Sequence, residues 1–163
     1  MKIVGTLSKT LLAPADLRRA LKNAGETDRY ARGSILFHAG GKNVGIFLIC
    51  SGRVCLKVPA APHLDRVFSA GSILGLPSTF VGKSYSLTAA CSTDCEVARI
   101  GKKQFLELMT RRLDLCREAT DILSREVAFL FSALGKDSRE SRIERFAKAS
   151  VPLRGVQKRA MPA

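Results

Sequence analysis

The stretch from Gly71 to Ile100, GSILGLPSTFVGKSYSLTAACSTDCEVARI, decides the fold. It opens with a glycine turn and a short apolar run. Gly75 is then followed by Pro77 and Ser78, which suits the start of a single helical turn. A polar tip, Gly82-Lys83-Ser84, leads to a return run from Tyr85 to Ala90. A strand-like run from Glu96 to Ile100 closes the stretch. A glycine, a short helix and a turn between two strands gather backbone N–H groups at one point, which is how a small fold holds an anion.

Outward from this stretch the texture is β-rich. Ser34–Phe37 reads as a strand and Ala39–Asn43 as a turn. Val44–Cys50 is continuously apolar and reads as a buried strand. Ser51-Gly52-Arg53 is a tight turn, and Val54–Val58 returns as the second arm of a hairpin. Pro59–Pro62 is a loop, and Asp65–Phe68 is an edge strand. Strands of this length and spacing predict an antiparallel sandwich or barrel.

The flanks are helical. Pro14-Ala15-Asp16 opens a helix with Leu17, Ala20 and Leu21 on its apolar face, and Asn23-Ala24-Gly25 ends it. Residues 102–109 carry Phe105, Leu106 and Met109 at helical spacing. Residues 114–134 predict a long helix, stopped by Gly135-Lys136-Asp137. Within it Cys116, Thr120, Leu123, Val127, Leu130 and Leu134 step by a seven-residue repeat, the seam of a two-helix contact. Leu115, Ala119, Ile122, Phe129 and Ala133 lie beside that seam. One side of so wide a stripe can pack on the β domain while the other meets a partner helix, and a parallel homodimer is expected. Ser138–Ala149 predicts a further helix, with Ser141 and Glu144 at capping-box spacing. Residues 150–163 read as a frayed end.

Composition sets outer bounds. The 163 residues suit one domain with a tail, and 46% hydrophobic residues suffice for a core. No run is long and apolar enough for a membrane span, and no signal peptide is read at the N-terminus. Five scattered cysteines include no C-x-x-C pair, which fits buried reduced thiols and a cytoplasmic protein. The net charge is +13, which attracts polyanions without choosing among them. From Lys136 onward eight Lys/Arg against three acids make a basic arm of net +5.

Several chemistries are set aside. Pro77–Ser84 nearly spells a P-loop, but a proline replaces the first glycine and no parallel-sheet context surrounds it. His38 and His63 have no acid or nucleophile at telling spacing, so no acid–base pair is formed and no enzyme is expected. Nothing marks a haem ligand, and grouped thiolates for an iron–sulfur cluster are absent. No metal and no cofactor are expected.

The order of elements resembles the cyclic nucleotide-binding domain, in particular the sensor half of the catabolite-activator/Fnr family of bacterial transcription regulators. The carriers are Arg32–Gly40 (RGSILFHAG), Phe47–Val54 (FLICSGRV), Gly71–Gly75 (GSILG) and Asp94–Ile100 (DCEVARI). The resemblance implies an α+β fold, an antiparallel β-roll (jelly roll) with flanking helices and a long C-terminal dimerisation helix. It divides the chain into a helical segment 1–27, a β-roll sensor domain 28–112, a dimerisation helix 113–135 and a basic tail 136–163. That tail resembles the first helix of the family's DNA-binding domain. No recognition helix follows it, so direct sequence reading of DNA is not expected.

The resemblance also supplies a candidate ligand pocket: Gly75, Leu76, Pro77, Ser78, Lys83, Tyr85 and Ser86. In the family's cyclic-nucleotide binders a Glu accepts from the ribose hydroxyl and an Arg neutralises the cyclic phosphate. Those positions match Leu76 and Tyr85 here. An Arg–phosphate contact is charge-assisted and bidentate, so its loss costs on the order of 2–5 kcal/mol of binding. Pro77 removes one N–H, and Lys83 is the one nearby cation that could substitute. Weak or no cyclic AMP binding is therefore expected. The pocket is left to another apolar or planar ligand, or to its own side chains. The readings that follow are a dimeric regulatory sensor for transcription or signalling, a protein-interaction module with a dead pocket, and a basic protein binding nucleic acid non-specifically through its tail. A full-length regulator is a further candidate partner.

Overall fold

The computed structural model describes residues 12–149, with side chains in the last helix described at 113–129, 131, 132 and 135. The chain divides by contacts into two units, one ending at Ala128 and one beginning at Phe129. The site lies in the first.

The first helix, α1 (Ala15–Ala24), buries Leu17 and Leu21 and ends at Gly25, as its spacing predicts. Eight strands follow: β1 (Glu26–Tyr30), β2 (Ile35–Phe37), β3 (Gly45–Ser51), β4 (Arg53–Lys57), β5 (Arg66–Ser69), β6 (Ile73–Leu74), β7 (Thr88–Cys91) and β8 (Cys95–Gly101). They form two antiparallel four-stranded sheets, ordered β1-β8-β3-β6 and β2-β7-β4-β5. A six-residue helix, α2 (Leu76–Val81), sits between β6 and β7, where the chain passes from one sheet to the other. α3 (Lys102–Arg111) and α4 (Leu113–Ala149) complete the order. This is the antiparallel β-roll with flanking helices that the sequence implies.

Alternation on β3 builds two cores. Phe47 and Ile49 face inward and join Phe37, Val54, Leu56, Phe68, Leu74, Tyr85 and Val97 between the sheets. Ile46 and Leu48 face the other way and meet Leu17 and Leu21 of α1, Phe105 and Met109 of α3, and Leu115, Ala119 and Ile122 of α4.

Five expectations are corrected. The strands on either side of Gly52 are not a hairpin: β3 belongs to the first sheet and β4 to the second, so the tight turn carries the chain from one sheet to the other. β1 lies where residues 1–27 and the start of the next segment were read without a strand. Four of its five residues are exposed, so it has no apolar alternation, and its pairing with β8 alone defines it. Tyr85-Ser86-Leu87 precede β7 rather than belonging to it, because the Tyr85 side chain is anchored elsewhere. Asp65 ends a short 3-10 turn, Pro62–Leu64, instead of opening β5. The long helix does not stop at Gly135: α4 continues through it to Ala149 and includes Ser138–Ala149. A glycine inside a helix costs about 1 kcal/mol relative to alanine, which flanking helical residues outweigh here, and Gly135 does not adopt the left-handed backbone of a glycine cap. The calls on residues 1–11 and 150–163, the Ser141/Glu144 capping box, and the side chains of Leu130, Ala133 and Leu134 lie outside the described residues.

Candidate functional site

The site is the corner where β6 turns through α2 toward β7. Gly75 has φ +85, left-handed backbone that permits the sharp entry into α2. Gly82, at φ +73, ends α2 in the same conformation. Between them Thr79 is buried, and its Oγ1 lies 3.3 Å from both Asn43 Oδ1 and the Gly45 carbonyl. Asn43 donates from Nδ2 to the Lys83 carbonyl at 3.2 Å and accepts from Gly45 N–H at 2.9 Å. The tip of the loop is thus tied to the start of β3 through polar side chains.

Tyr85 completes the tie. It is 2% exposed, and its ring stacks on Phe37 with centroids 4.1 Å apart. Its hydroxyl donates to the Gly45 carbonyl at 2.6 Å and accepts from the N–H groups of Val44 and Gly45 at 3.1 and 3.2 Å. Burial raises the phenol above its ordinary pKa, against a lowering by those two N–H donors and by Arg99. A Cβ added at Gly75 would stand 3.2 Å from Tyr85 Cε1 and 3.2 Å from the Gly45 carbonyl oxygen. Gly75, Tyr85 and Gly45 are therefore packed against one another.

The other candidate residues separate. Leu76 is fully buried but belongs to the outer core, with Ile46 and Phe105, and faces away from Tyr85's cluster. Pro77 and Ser78 are half-buried in the first turn of α2. Lys83 and Ser86 are exposed. The structure brings Gly75 and Tyr85 together and does not gather the rest around a common point.

On α4 the described seam residues beyond Cys116 lie off the core face. Thr120 and Val127 are exposed, Val127 by 41%, and Leu123 is half-buried. Cys116 is half-buried against the outer core. Thr120 Oγ1 donates to the Cys116 carbonyl at 2.8 Å. Leu115, Ala119 and Ile122, roughly 100° round the helix from that seam, pack on the roll.

One pair escaped the sequence reading. Arg66 of β5 and Glu126 of α4 meet at 3.5 Å, each side chain only 11% exposed. The Arg66 guanidinium lies 5.2 Å from the Phe68 ring centroid. Burial pushes the Glu126 carboxyl up and the Arg66 guanidinium down, and in each case the partner's opposing pull is the smaller effect. Ionising Glu126 thus costs the folded state more than the unfolded one. The stability this group contributes is complete below the ordinary carboxylate range and declines as pH rises through its raised value. The sequence did carry a signal: Arg66 stands two before Phe68 on an alternating strand, and Glu126 falls four after Ile122 on the helix's buried stripe.

Burial also governs the Cys91 thiol. Burial and the neighbouring Cys95 push Cys91 up to about 12, which leaves almost no thiolate. Among the described residues no group of three His, Cys, Asp or Glu could hold a metal ion. Nor is any described helix long and apolar enough to cross a membrane.

Comparisons agree with this architecture. No curated protein sequence matches the chain. Among solved structures, a regulatory protein from Silicibacter pomeroyi DSS-3, described as cAMP-binding, is 26% identical with a TM-score of 0.52, covering 78% of this chain and 58% of its own. The c-di-GMP responsive global regulator CLP of Xanthomonas campestris is 20% identical with a TM-score of 0.63, covering 77% and 64%. The catabolite activator protein of Thermus thermophilus is 20% identical with a TM-score of 0.56, covering 82% and 61%. The chain thus spans less than two thirds of each of these three. These three are described as a regulatory protein, a global regulator and a catabolite activator, and each is similar to this chain in fold. The cyclic nucleotide-binding domain profile matches residues 27–112, the roll from β1 to the end of α3, and the chain belongs to that family.

Proposed function

We propose that the chain is a Crp/Fnr-like regulatory sensor domain, serving transcription regulation or signalling, that acts as a dimer through α4 and does not use cyclic AMP. The carrying observation is Tyr85. At the position matching the family's phosphate-binding arginine, it spends its hydroxyl on the backbone of β3 and packs its ring against Gly75. A cyclic phosphate there meets a stacked phenol in place of a guanidinium fork, and Leu76, at the position matching the ribose acid, is turned into the outer core. α2 offers little compensation, because Pro77 supplies no N–H. Cyclic AMP titrated calorimetrically into the purified chain is expected to give no binding at micromolar concentrations. A dissociation constant in the micromolar range or below rejects this part of the reading.

Dimerisation rests on the off-core face of α4. Thr120, Leu123 and Val127 repeat at heptad spacing on the side the roll does not cover. The double substitution Leu123→Glu, Val127→Glu should halve the mass measured by sedimentation equilibrium, since it sets charges across the helix contact. A dimeric mass in the double variant overturns the assignment.

The same closed corner also supports the second reading, an interaction module without a small ligand. The two differ in whether any small molecule alters α4.

A further inference from the structure

The sheet β2-β7-β4-β5 turns one face into the core between the sheets and the other outward. Register sets one residue of each strand in a single outward row. Ile35 lies opposite Ala90, Ala90 opposite Cys55, and Cys55 opposite Val67. Ile35 joins the row because the register shifts between it and Phe37, which turns Phe37 into the core and leaves Ile35 outside. Residues directly opposite on one face are side-chain neighbours. The row is therefore a continuous apolar band across all four strands. Its two ends are open, with Ile35 41% and Val67 39% exposed. Exposed apolar side chains that stand singly are ordinary, whereas a band joined from edge to edge marks a contact surface.

The rows on either side are polar and basic. Arg53 lies opposite Ser69, and Lys57 opposite Thr88. Both cations are exposed, and among the described residues neither side chain meets an acid within ion-pair distance. No outward position on these four strands holds an acid. Asp65, just before β5, accepts from the Val58 N–H at 2.8 Å. Arg53 and Lys57 stand four residues apart on β4 with Cys55 midway, about 13 Å at the usual rise of a strand.

Charge decides what can cover the band. In a two-fold contact a face meets itself. Arg53 and Lys57 would then face the same cations of the second copy, with no outward acid to answer them. Residues 1–11 and 150–163 contain Lys and Arg but no acid, so neither segment complements the face. An anionic membrane answers the charge, but the band has no aromatic or leucine side chain to sink into one. An extended acidic segment answers both features. Its side chains at i, i+2 and i+4 share a face and span the same distance as Arg53, Cys55 and Lys57.

We infer that the outward face of this sheet docks an extended segment of another protein, in which two acids flank an aliphatic residue at two-residue spacing. The aliphatic side chain lies on the band beside Cys55 and Val67, and the carboxylates meet Arg53 and Lys57. The surface uses no residue of α4 or of the α2 corner, so it stands apart from the dimer and from the ligand question.

The test uses the full chain and two synthetic peptides of one composition. The first carries Glu-Ser-Leu-Ser-Glu between glycines; the second has the two Glu adjacent and the Leu at one end. Binding is followed by NMR through backbone amides. The first peptide should shift the amides of residues 53–57, 66–69 and 88–91 saturably, and bind about fivefold more tightly than the second. Val67→Asp should weaken it about tenfold, because an acid then stands in the band. The double substitution Arg53→Glu, Lys57→Glu should transfer the preference to a peptide with Lys in place of both Glu. It changes only exposed side chains, so it decides the matter if Val67→Asp disturbs β5. Val81→Asp, at a residue 67% exposed on α2, should leave the affinity unchanged. The inference is overturned if the two peptides bind alike, if Val81→Asp and Val67→Asp act alike, or if charge reversal leaves the Glu peptide preferred. Sedimentation mass should be the same for Val67→Asp as for wild type, and a lower mass assigns the face to a second copy instead. Cosedimentation with phosphatidylserine vesicles that Val67→Asp abolishes assigns it to a membrane, and likewise overturns the inference.

Discussion

Gly45→Ala is expected to leave the chain without a cooperative folded state. Gly45 has φ +134, a conformation that L side chains rarely adopt. A Cβ there would lie 2.0 Å from the Ile100 carbonyl oxygen, 2.8 Å from Lys102 N and 2.9 Å from the Gly101 carbonyl carbon. All three are backbone atoms of β8 and its junction with α3, so no flexible side chain can yield. The pairing at stake, Gly45 with Gly101, is the end of the β3–β8 ladder between the two central strands of the first sheet. The carbonyl and N–H of Gly45 also hold Tyr85, and the carbonyl lies within reach of Thr79. A shift at this residue therefore unties the corner as well as the sheet. Losses beyond about 4–5 kcal/mol mark the severest single substitutions, against a total of roughly 5–15 kcal/mol for a domain. Circular dichroism during heating checks the result: a transition within a few degrees of wild type rejects it.

Phe105→Ala should cost about 3–5 kcal/mol, the range for deleting a buried aromatic ring. Phe105 is fully buried in the outer core, and its ring meets Phe80 of α2 edge-on at 5.4 Å. It shares its cluster with Leu17, Leu21, Ile100, Leu115 and Ala119, so four helices and a sheet meet around this one side chain. The loss combines the missing apolar transfer with a cavity that those elements cannot close together. Urea denaturation followed by circular dichroism should show the midpoint falling with the slope unchanged. A loss under about 1 kcal/mol would mean that the outer core collapses freely around the gap.

How much of this was legible depended on whether a residue's role was local. The α1 boundaries, the apolar β3 and the Gly75 entry into α2 follow from spacing and turn chemistry within a few residues, whereas the turn at Gly52 was legible as a turn but not as a passage between sheets. β1 was not legible, because its exposed residues are a strand only by virtue of β8, some 70 residues away. The tail of α4 was misread because a glycine ends a helix only when its backbone leaves the helical region, as Gly25 does and Gly135 does not, and sequence does not give φ. In the corner, alignment set Tyr85 at the position of a cation and suggested an altered pocket. That its hydroxyl is spent on Gly45 is a contact across 40 residues. Leu76 was assigned to the same pocket, yet the helical start at Gly75 turns it to the opposite side of the sheet. Arg66 and Glu126 are individually visible as charges at inward positions, but only the folded chain brings them face to face.

The two cores have one partition in common, the sheet β1-β8-β3-β6, whose central strand β3 sends alternate side chains into each. A close-packed partition of this kind transmits force but has almost no free volume to deform. Information can therefore pass from one compartment to the other only around its margins. One margin is riveted by Tyr85, Thr79 and Asn43 to the start of β3. The other is β1, largely exposed and paired with β8 alone, and it is there that the partition is least tied.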